Sequence, residues 1–381
     1  MRRCTMLAAF LGAALCAGAQ TIDSFDRLWS RDRSMGGPHV ALADDSSVIV
    51  TNPAGLAVAP RKLALAELGV RASGPLFDIA DAVLGNESDY AAAIADLLRI
   101  NDYKLYGGLA VDGPLAFSFV GGGLGFGIFN RTQFVVNASS ISSIKVNARE
   151  DILLAAGYAF RIDLGKDQAL DFGMGAKGFV RGEIAPTFGA IEVAEILDDP
   201  NSVFEKDFYL TTGVGIDIGL RWSLNDRLAA AIVCRDLYSP AIVTQYESLL
   251  GFLEDPTAAK VDVEYSSLAR ALDIGFLWAP SLGPLSTYVD AVNLCLDYGD
   301  ILDLFSPIPR NPILNLRLGA EARVLEIVTF RAGVKEALLN AGIGMDLGIF
   351  KLNMCAFGSE LGLDPGDRVV YNLKVSFDFV Y

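Results

Sequence analysis

The chain has 381 residues, of which 52% are hydrophobic, and its formal net charge is −15. This acidity argues against nucleic acid or an anionic surface as a partner. Beyond residue 19 there is no run of 18 or more apolar residues, so membrane-spanning helices are excluded. Two classes remain: a globule with a buried core, or a membrane barrel whose apolar residues alternate with polar ones.

Residues 1–19 have the pattern of a secretory signal peptide. Arg2 and Arg3 precede an apolar stretch over residues 5–16, and Ala17-Gly18-Ala19 fits the small-x-small cleavage site. We therefore predict an exported protein whose mature chain begins at residue 20.

A turn-rich segment follows and precedes the first predicted strand. Its motif residues are Gly36, Gly37, Asp44, Asp45, Asn52, Pro53, Ala54 and Gly55. Pro53 restricts Asn52 to extended or turn geometry, and Gly55 permits a left-handed turn directly afterwards. The two aspartates suit helix caps or bonds to backbone amides. Such a compact segment fits inside a polar lumen, so we predict that residues 20–60 form a small plug.

Residues 61–381 show period-2 alternation, which places apolar and polar side chains on opposite faces of a strand. In 168–184 the polar face is rich in glycine and charge, and Phe179 is an apolar exception on it. Probable strands are 61–72, 103–120, 122–137, 149–162, 168–184, 207–223, 227–238, 266–279, 285–298, 312–325, 327–336, 340–349, 350–357 and 369–381. The predicted fold is all-β: a transmembrane antiparallel barrel of about 14 strands.

Connection lengths favour this barrel over a soluble sandwich. Short connections such as 163–167 and 223–226 alternate with long ones such as 239–265. This alternation is typical of barrels with tight turns at one end and loops at the other. An even number of strands places both termini at the short-turn end, and the last strand ends on Tyr381, an aromatic residue.

Two local features interrupt the pattern. Asp112, Gly113 and Pro114 lie within the strand predicted at 103–120, where Pro cannot donate to a ladder and Gly admits unusual backbone angles. We expect either a kink in one long strand or a hairpin turn at this point.

Helical spacing occurs in two predicted long loops. Tyr90, Ile94 and Leu97 share one face of a helix, and Ile242, Tyr246 and Leu249 share another. These rim helices either pack locally against the barrel or form an amphipathic lip that captures a hydrophobic ligand.

Catalysis, metal binding and cofactors are not expected. The mature chain contains one histidine, His39, which leaves most hydrolase mechanisms without a general base near neutral pH. Cys234, Cys295 and Cys355 have no metal-site or disulfide spacing, and we interpret them as small apolar filler.

The plug motif, with Asn52-Pro53-Ala54-Gly55-Leu56 at its end, resembles the start of the FadL-type long-chain fatty acid transporter superfamily, including its PorV-like branch. This resemblance implies a fourteen-stranded outer-membrane barrel with a plug. It also implies transport of fatty acids or similar amphiphiles, with a wall kink as lateral exit, which Asp112, Gly113 and Pro114 would supply. Expected partners are outer-membrane lipid, a hydrophobic small-molecule ligand and the barrel assembly machinery, with a monomer as the state. The alternative is a PorV-like role in docking secretion or surface proteins.

Overall fold

The computed structural model describes residues 21–22, 29–75, 96, 99, 105–140, 142–189, 192, 199–225 and 227–380. The chain forms a closed antiparallel barrel of fourteen strands, as predicted, and its first and last strands pair with each other. The helices among the described residues are too short to cross a membrane.

The barrel strands are β1 (Lys62–Ser73), β2 (Tyr106–Gly121), β3 (Leu124–Ser140), β4 (Ser143–Gly165), β5 (Gln168–Ile184), β6 (Phe208–Leu224), β7 (Leu228–Tyr238, continued by Pro240–Tyr246), β8 (Lys260–Leu268, continued by Ala271–Trp278), β9 (Val289–Tyr298), β10 (Leu316–Val324), β11 (Val328–Lys335), β12 (Leu338–Asp346), β13 (Phe350–Glu360) and β14 (Val369–Val380). Two-residue strands at Thr21–Ile22 and Thr187–Phe188 add to β8 and β4.

The helical elements are short. They are α1 (Ser30–Ser34), α2 (Val48–Thr51) and α3 (Leu249–Glu254), with 3₁₀ turns at Pro53–Ala57, Pro200–Glu205, Gly283–Thr287, Ile301–Phe305 and Pro312–Asn315. β1 begins and β14 ends at the same end of the barrel, which also carries the short connections after β2, β4, β6, β10 and β12 and is called the short-turn end. The opposite end is called the long-loop end.

Side chains alternate between the outer and the inner face of the wall. On β6, Val214 is 54% exposed on the outer face, whereas Asp217 on the inner face is 4% exposed. The last strands are paired in the same way: β13 and β14 run antiparallel from Phe350↔Phe379 to Glu360↔Val369. A wall with apolar residues outside and polar residues inside suits a bilayer and an aqueous lumen.

The prediction of a helix at Ile242 and Tyr246 was wrong. Both lie in the second half of β7, which pairs with β6 and β8 and occupies part of the predicted 239–265 loop. Tyr246 is buried against the rings of Phe208 and Phe252. Leu249 does begin a helix, α3. The other predicted rim helix, with Tyr90, Ile94 and Leu97, lies outside the described residues.

Asp112, Gly113 and Pro114 form a kink within β2 rather than a hairpin turn. β2 runs without interruption from Tyr106 to Gly121, but its pairing register shifts on both sides. The strand count is therefore unaffected by this irregularity.

Candidate functional site

Residues 29–60, called here the luminal segment, lie inside the barrel. Met35, Val40 and Asn52 are each 1% exposed, and Leu56 is fully buried. Eight wall positions that face the segment are glycine, and a Cβ at each of them would come within 3 Å of a segment atom. These glycines are called the glycine belt: Gly125, Gly157, Gly173, Gly219, Gly275, Gly319, Gly333 and Gly342. The wall is thus shaped to hold this segment.

Arg31 in α1 joins the luminal segment to the wall. Its guanidinium contacts Asp44 at 2.6 Å, Asp45 at 2.7 Å and Glu321 of β10 at 2.6 Å. Burial acts to lower the pKa of Arg31, but the carboxylates of Asp44, Glu321 and Asp45 outweigh it and raise the pKa well above its ordinary value. Glu321 is further fixed by Arg331 at 2.7 Å. Asp44 and Asp45 therefore hold Arg31 within the luminal segment, and Arg31 anchors the segment to Glu321 of the wall.

Asn52 and the glycines of the motif shape the backbone. The Asn52 amide donates to the Val40 carbonyl at 2.7 Å, and its Oδ1 accepts from the Ala54 amide at 3.0 Å, which caps the Pro53–Ala57 turn. Gly36 has φ +85°, as a turn glycine would. Gly55 differs from expectation: its φ is not positive, and glycine is required there because a Cβ would lie 2.7 Å from Val48.

His39 is held on both ring nitrogens. Its Nδ1 bonds the carboxylate of Asp297 in β9, and its Nε2 bonds the Met35 carbonyl at 2.8 Å. The other oxygen of Asp297 accepts from the Val40 amide at 2.9 Å. This fully engaged histidine anchors the luminal segment to the wall.

An apolar strip crosses the luminal face of the wall towards the long-loop end. It consists of Ala116, Phe129, Leu153, Phe179, Ala241 and Leu268, each buried, with Ile22 and Trp29 packed against them. Pairing register places Ala116, Phe129, Leu153 and Phe179 directly beside one another on β2 to β5. Trp29 meets Phe129 edge to face at 5.7 Å. Val120, Ala155 and Ala159 form a second apolar patch on β2 and β4, and Val48 and Leu56 of the luminal segment cover it.

A charged row flanks the strip on its long-loop side. In register order it contains Asp112, Arg131, Asp151 and Arg181, and Lys374 joins it from β14. Arg131 pairs with Asp112 at 2.5 Å and Arg181 with Asp151 at 2.6 Å.

Two further arginines give this region excess positive charge. Arg33 of α1 lies 5.0 Å above the ring of Phe357, and Arg71 of β1 donates to Gln133 at 3.2 Å. Among the described residues, neither guanidinium has a carboxylate within ion-pair distance, and Nε of Arg71 is buried without a hydrogen bond. Burial, followed by the positive charge of Arg131, lowers the pKa of Arg33.

The strip ends at the kink in β2. Pairing between β1 and β2 is interrupted between Ala64 and Gly69, and pairing between β2 and β3 between Asp112 and Ala116. Gly113 has φ +88°, and a Cβ there would overlap the carbonyl oxygen of Glu67. This interruption is called the wall break. It lies beside Ala116, the first residue of the apolar strip.

The sequence pattern indicated the motif residues but not the strip. The structure brings Asp44, Asp45 and Asn52 together in the luminal segment, and it places Asp112, Gly113 and Pro114 at the wall break. The strip left one signal in the sequence, because Phe179 violates the alternation of its strand. The cations Arg33 and Arg71 gave no signal, since their neighbours come from distant strands.

No family model matches the chain, and no curated protein matches it in sequence. Solved structures match in fold. The deltaS2 mutant of the TodX monoaromatic hydrocarbon channel has a TM-score of 0.50 at 10% identity, over 93% of this chain and 99% of that one. The toluene transporter TbuX of Ralstonia pickettii also has a TM-score of 0.50 at 10% identity, over 95% and 98%. The chain therefore shares the β-barrel fold of two hydrocarbon channels, as the resemblance to FadL-type transporters predicted.

Proposed function

We propose that this protein passes amphiphiles with an acidic head group, such as long-chain fatty acids, through the outer membrane. The luminal segment, within residues 20–60, acts as the plug, and residues 1–19 direct export. The observation that carries this proposal is the apolar strip, which runs along the lumen to the wall break. The protein acts as a channel rather than as an enzyme.

The apolar strip supplies the affinity for a hydrocarbon chain. Apolar residues such as Phe129 and Phe179 are stable in the lumen only when something apolar covers them. Trp29 and Ile22 cover the strip in this structure, and a hydrocarbon chain that displaces them would take over this role. Each methylene group that leaves water for this surface contributes about 0.8 kcal/mol. The two matched structures are a monoaromatic hydrocarbon channel and a toluene transporter, which supports a hydrophobic cargo here.

The positive charge beside the strip favours a cargo with an acidic head. Arg33 and Arg71 both face the lumen without a carboxylate partner among the described residues. A guanidinium is well suited to bind a carboxylate with two parallel hydrogen bonds. A fatty acid whose tail covers the strip would place its carboxylate at these arginines.

Binding of matched ligands tests the acidic head. Replacing Arg71 by Gln should weaken oleate binding by tenfold or more, since a charge-assisted hydrogen bond contributes about 1.5–3 kcal/mol. Binding of 1-octadecene, which has the same chain length without the acid, should stay unchanged. Arg323→Gln is the control, because Arg323 is exposed near the short-turn end. Equal losses for both ligands would remove the acidic head from the proposal.

Uptake tests the exit route. Deleting Gly113 and Pro114 removes the two extra residues of β2 opposite Asn130 and should close the wall break, so cells should take up less labelled oleate. Gly178→Val is the matched control, because no atom lies within 4 Å of a Cβ at that outward position. Unchanged uptake in the sealed variant would exclude this route. A stoichiometric protein partner without bound lipid in detergent extracts would instead indicate a docking role.

A further inference from the structure

The wall break leaves one backbone amide in need of a partner. Between the pairs Asp112↔Arg131 and Ala116↔Phe129, three residues of β2 stand opposite the single residue Asn130 of β3. The Leu115 amide lies within this stretch and donates to the side-chain Oδ1 of Asn130 at 3.0 Å. A side chain thus replaces the ladder hydrogen bond that the kink removes.

Asn130 is itself held from the next strand. Its Nδ2 donates to Oε1 of Glu150 in β4 at 2.9 Å, and the other oxygen of Glu150 accepts from the Thr132 hydroxyl. Donation to Glu150 fixes which end of the amide faces β2, so Oδ1 must point at Leu115.

These polar side chains face outward, where the wall is otherwise apolar. Alternation places Asn130 and Thr132 on the outer face with Phe126 and Phe134, which are both 45% exposed. Glu150 shares its face with Leu154, which is 54% exposed. Polar groups on a lipid-facing surface are costly, and an unpaired backbone amide there is costly too. Polar side chains are thus placed on the outer face at the point where they give the Leu115 amide a hydrogen-bond partner.

We infer that Asn130 is a positioning residue for the wall break and that Glu150 orients it. Together they hold the kinked backbone of β2 at Leu115, so that the interrupted pairing beside Ala116 is maintained. This inference rests on the proposed lateral route for its functional meaning. The hydrogen-bond arrangement itself can be measured independently of transport.

Hydrogen exchange of the Leu115 amide in the purified barrel is the first measurement. Asn130→Leu should raise its exchange rate about tenfold, the equivalent of one lost hydrogen bond. Thr132→Val is the matched control, because Thr132 bonds Glu150 and not Leu115, and it should leave the rate unchanged. A difference in gel mobility between heated and unheated samples shows that each variant is folded.

A reversed pair provides the rescue. The double variant Asn130→Asp with Glu150→Gln keeps an acceptor for the Leu115 amide and a donor–acceptor bond between β3 and β4, so protection should return. Asn130→Asp alone places a second carboxylate beside that of Glu150, so at pH 8 it should protect the Leu115 amide less well from exchange. Unchanged exchange in Asn130→Leu, or failure of the double variant to protect better than Asn130→Asp, would overturn the inference.

Transport gives the second readout. Asn130→Leu should lower the maximal rate of oleate uptake severalfold while leaving the dissociation constant for oleate unchanged, and the double variant should restore the rate. An equal loss in Thr132→Val would show a general structural effect and contradict the positioning role. If the unaltered protein takes up no oleate, the proposed function fails, and hydrogen exchange still decides the role of Asn130.

Discussion

Removing Arg31 should release the luminal segment from the wall without unfolding the barrel. Arg31 and Glu321 are 13% and 5% exposed as side chains, and breaking such a buried pair costs about 3–5 kcal/mol. Since Arg331 still neutralises Glu321, we expect the lower figure for Arg31→Met. Asp44 is 39% exposed, so Asp44→Asn should cost less than about 1 kcal/mol.

Hydrogen exchange of the purified protein in detergent measures this release. A loss of about 3 kcal/mol corresponds to roughly 100-fold faster exchange of the amides in residues 29–57. Amides of β4 serve as the internal control and should keep their rates. Arg31→Lys retains the positive charge but not the paired N–H groups of the guanidinium, and should give an intermediate exchange rate. Equal acceleration by Arg31→Met and Asp44→Asn would refute the reasoning, because burial would then play no part.

Three further outcomes are expected. Burial and the charge of Asp45 raise the pKa of Asp32 to about 7 in the docked segment, whereas the released segment loses the same proton near pH 4. Docking of the segment should therefore weaken by about 4 kcal/mol as the pH rises from 4 to 7 and stay constant above pH 7. Asp32→Asn should abolish this pH dependence of the exchange rates. Gly219→Ala overlaps Asn52 and should speed exchange of the luminal segment, whereas Gly178→Ala should not; equal rates would contradict the steric role of the belt. Phe179→Ala should weaken oleate and 1-octadecene binding alike, by about tenfold, in a fluorescence displacement titration, because it removes apolar surface and no charge; a loss confined to oleate would argue against the strip.

The barrel could be predicted because successive residues of its strands alternate between an apolar outer face and a polar inner face. Alternation and connection lengths can be recognised in the sequence without any knowledge of tertiary contacts, and the strand number follows from them. The error at Ile242 and Tyr246 has the same origin. Residues four apart share a face of a helix, but they also share a face of a strand, so this spacing alone does not distinguish them.

The interior could be predicted only in part. The motif around Asn52 forms local bonds and was therefore recognisable from its turn chemistry. The Arg31–Glu321 pair joins residues 290 positions apart, and no local pattern indicates such a partner. The strip is equally nonlocal, because it takes one residue from each of six strands. A single apolar residue on a polar face, as at Phe179, becomes meaningful only when its cross-strand neighbours are known.

The luminal segment touches both sides of the seam at which the barrel closes. α1 bonds β14 through Ser30 and Ser376 at 2.8 Å, while the Pro53–Ala57 turn packs on Gly157 of β4 and Gly173 of β5. Pairing β1 with β14 joins the most distant strands of the chain, which carries a large loop-closure entropy. A segment that grips both halves raises their effective concentration during assembly. The residues that fill the lumen of the finished barrel are thus also an internal scaffold for its formation.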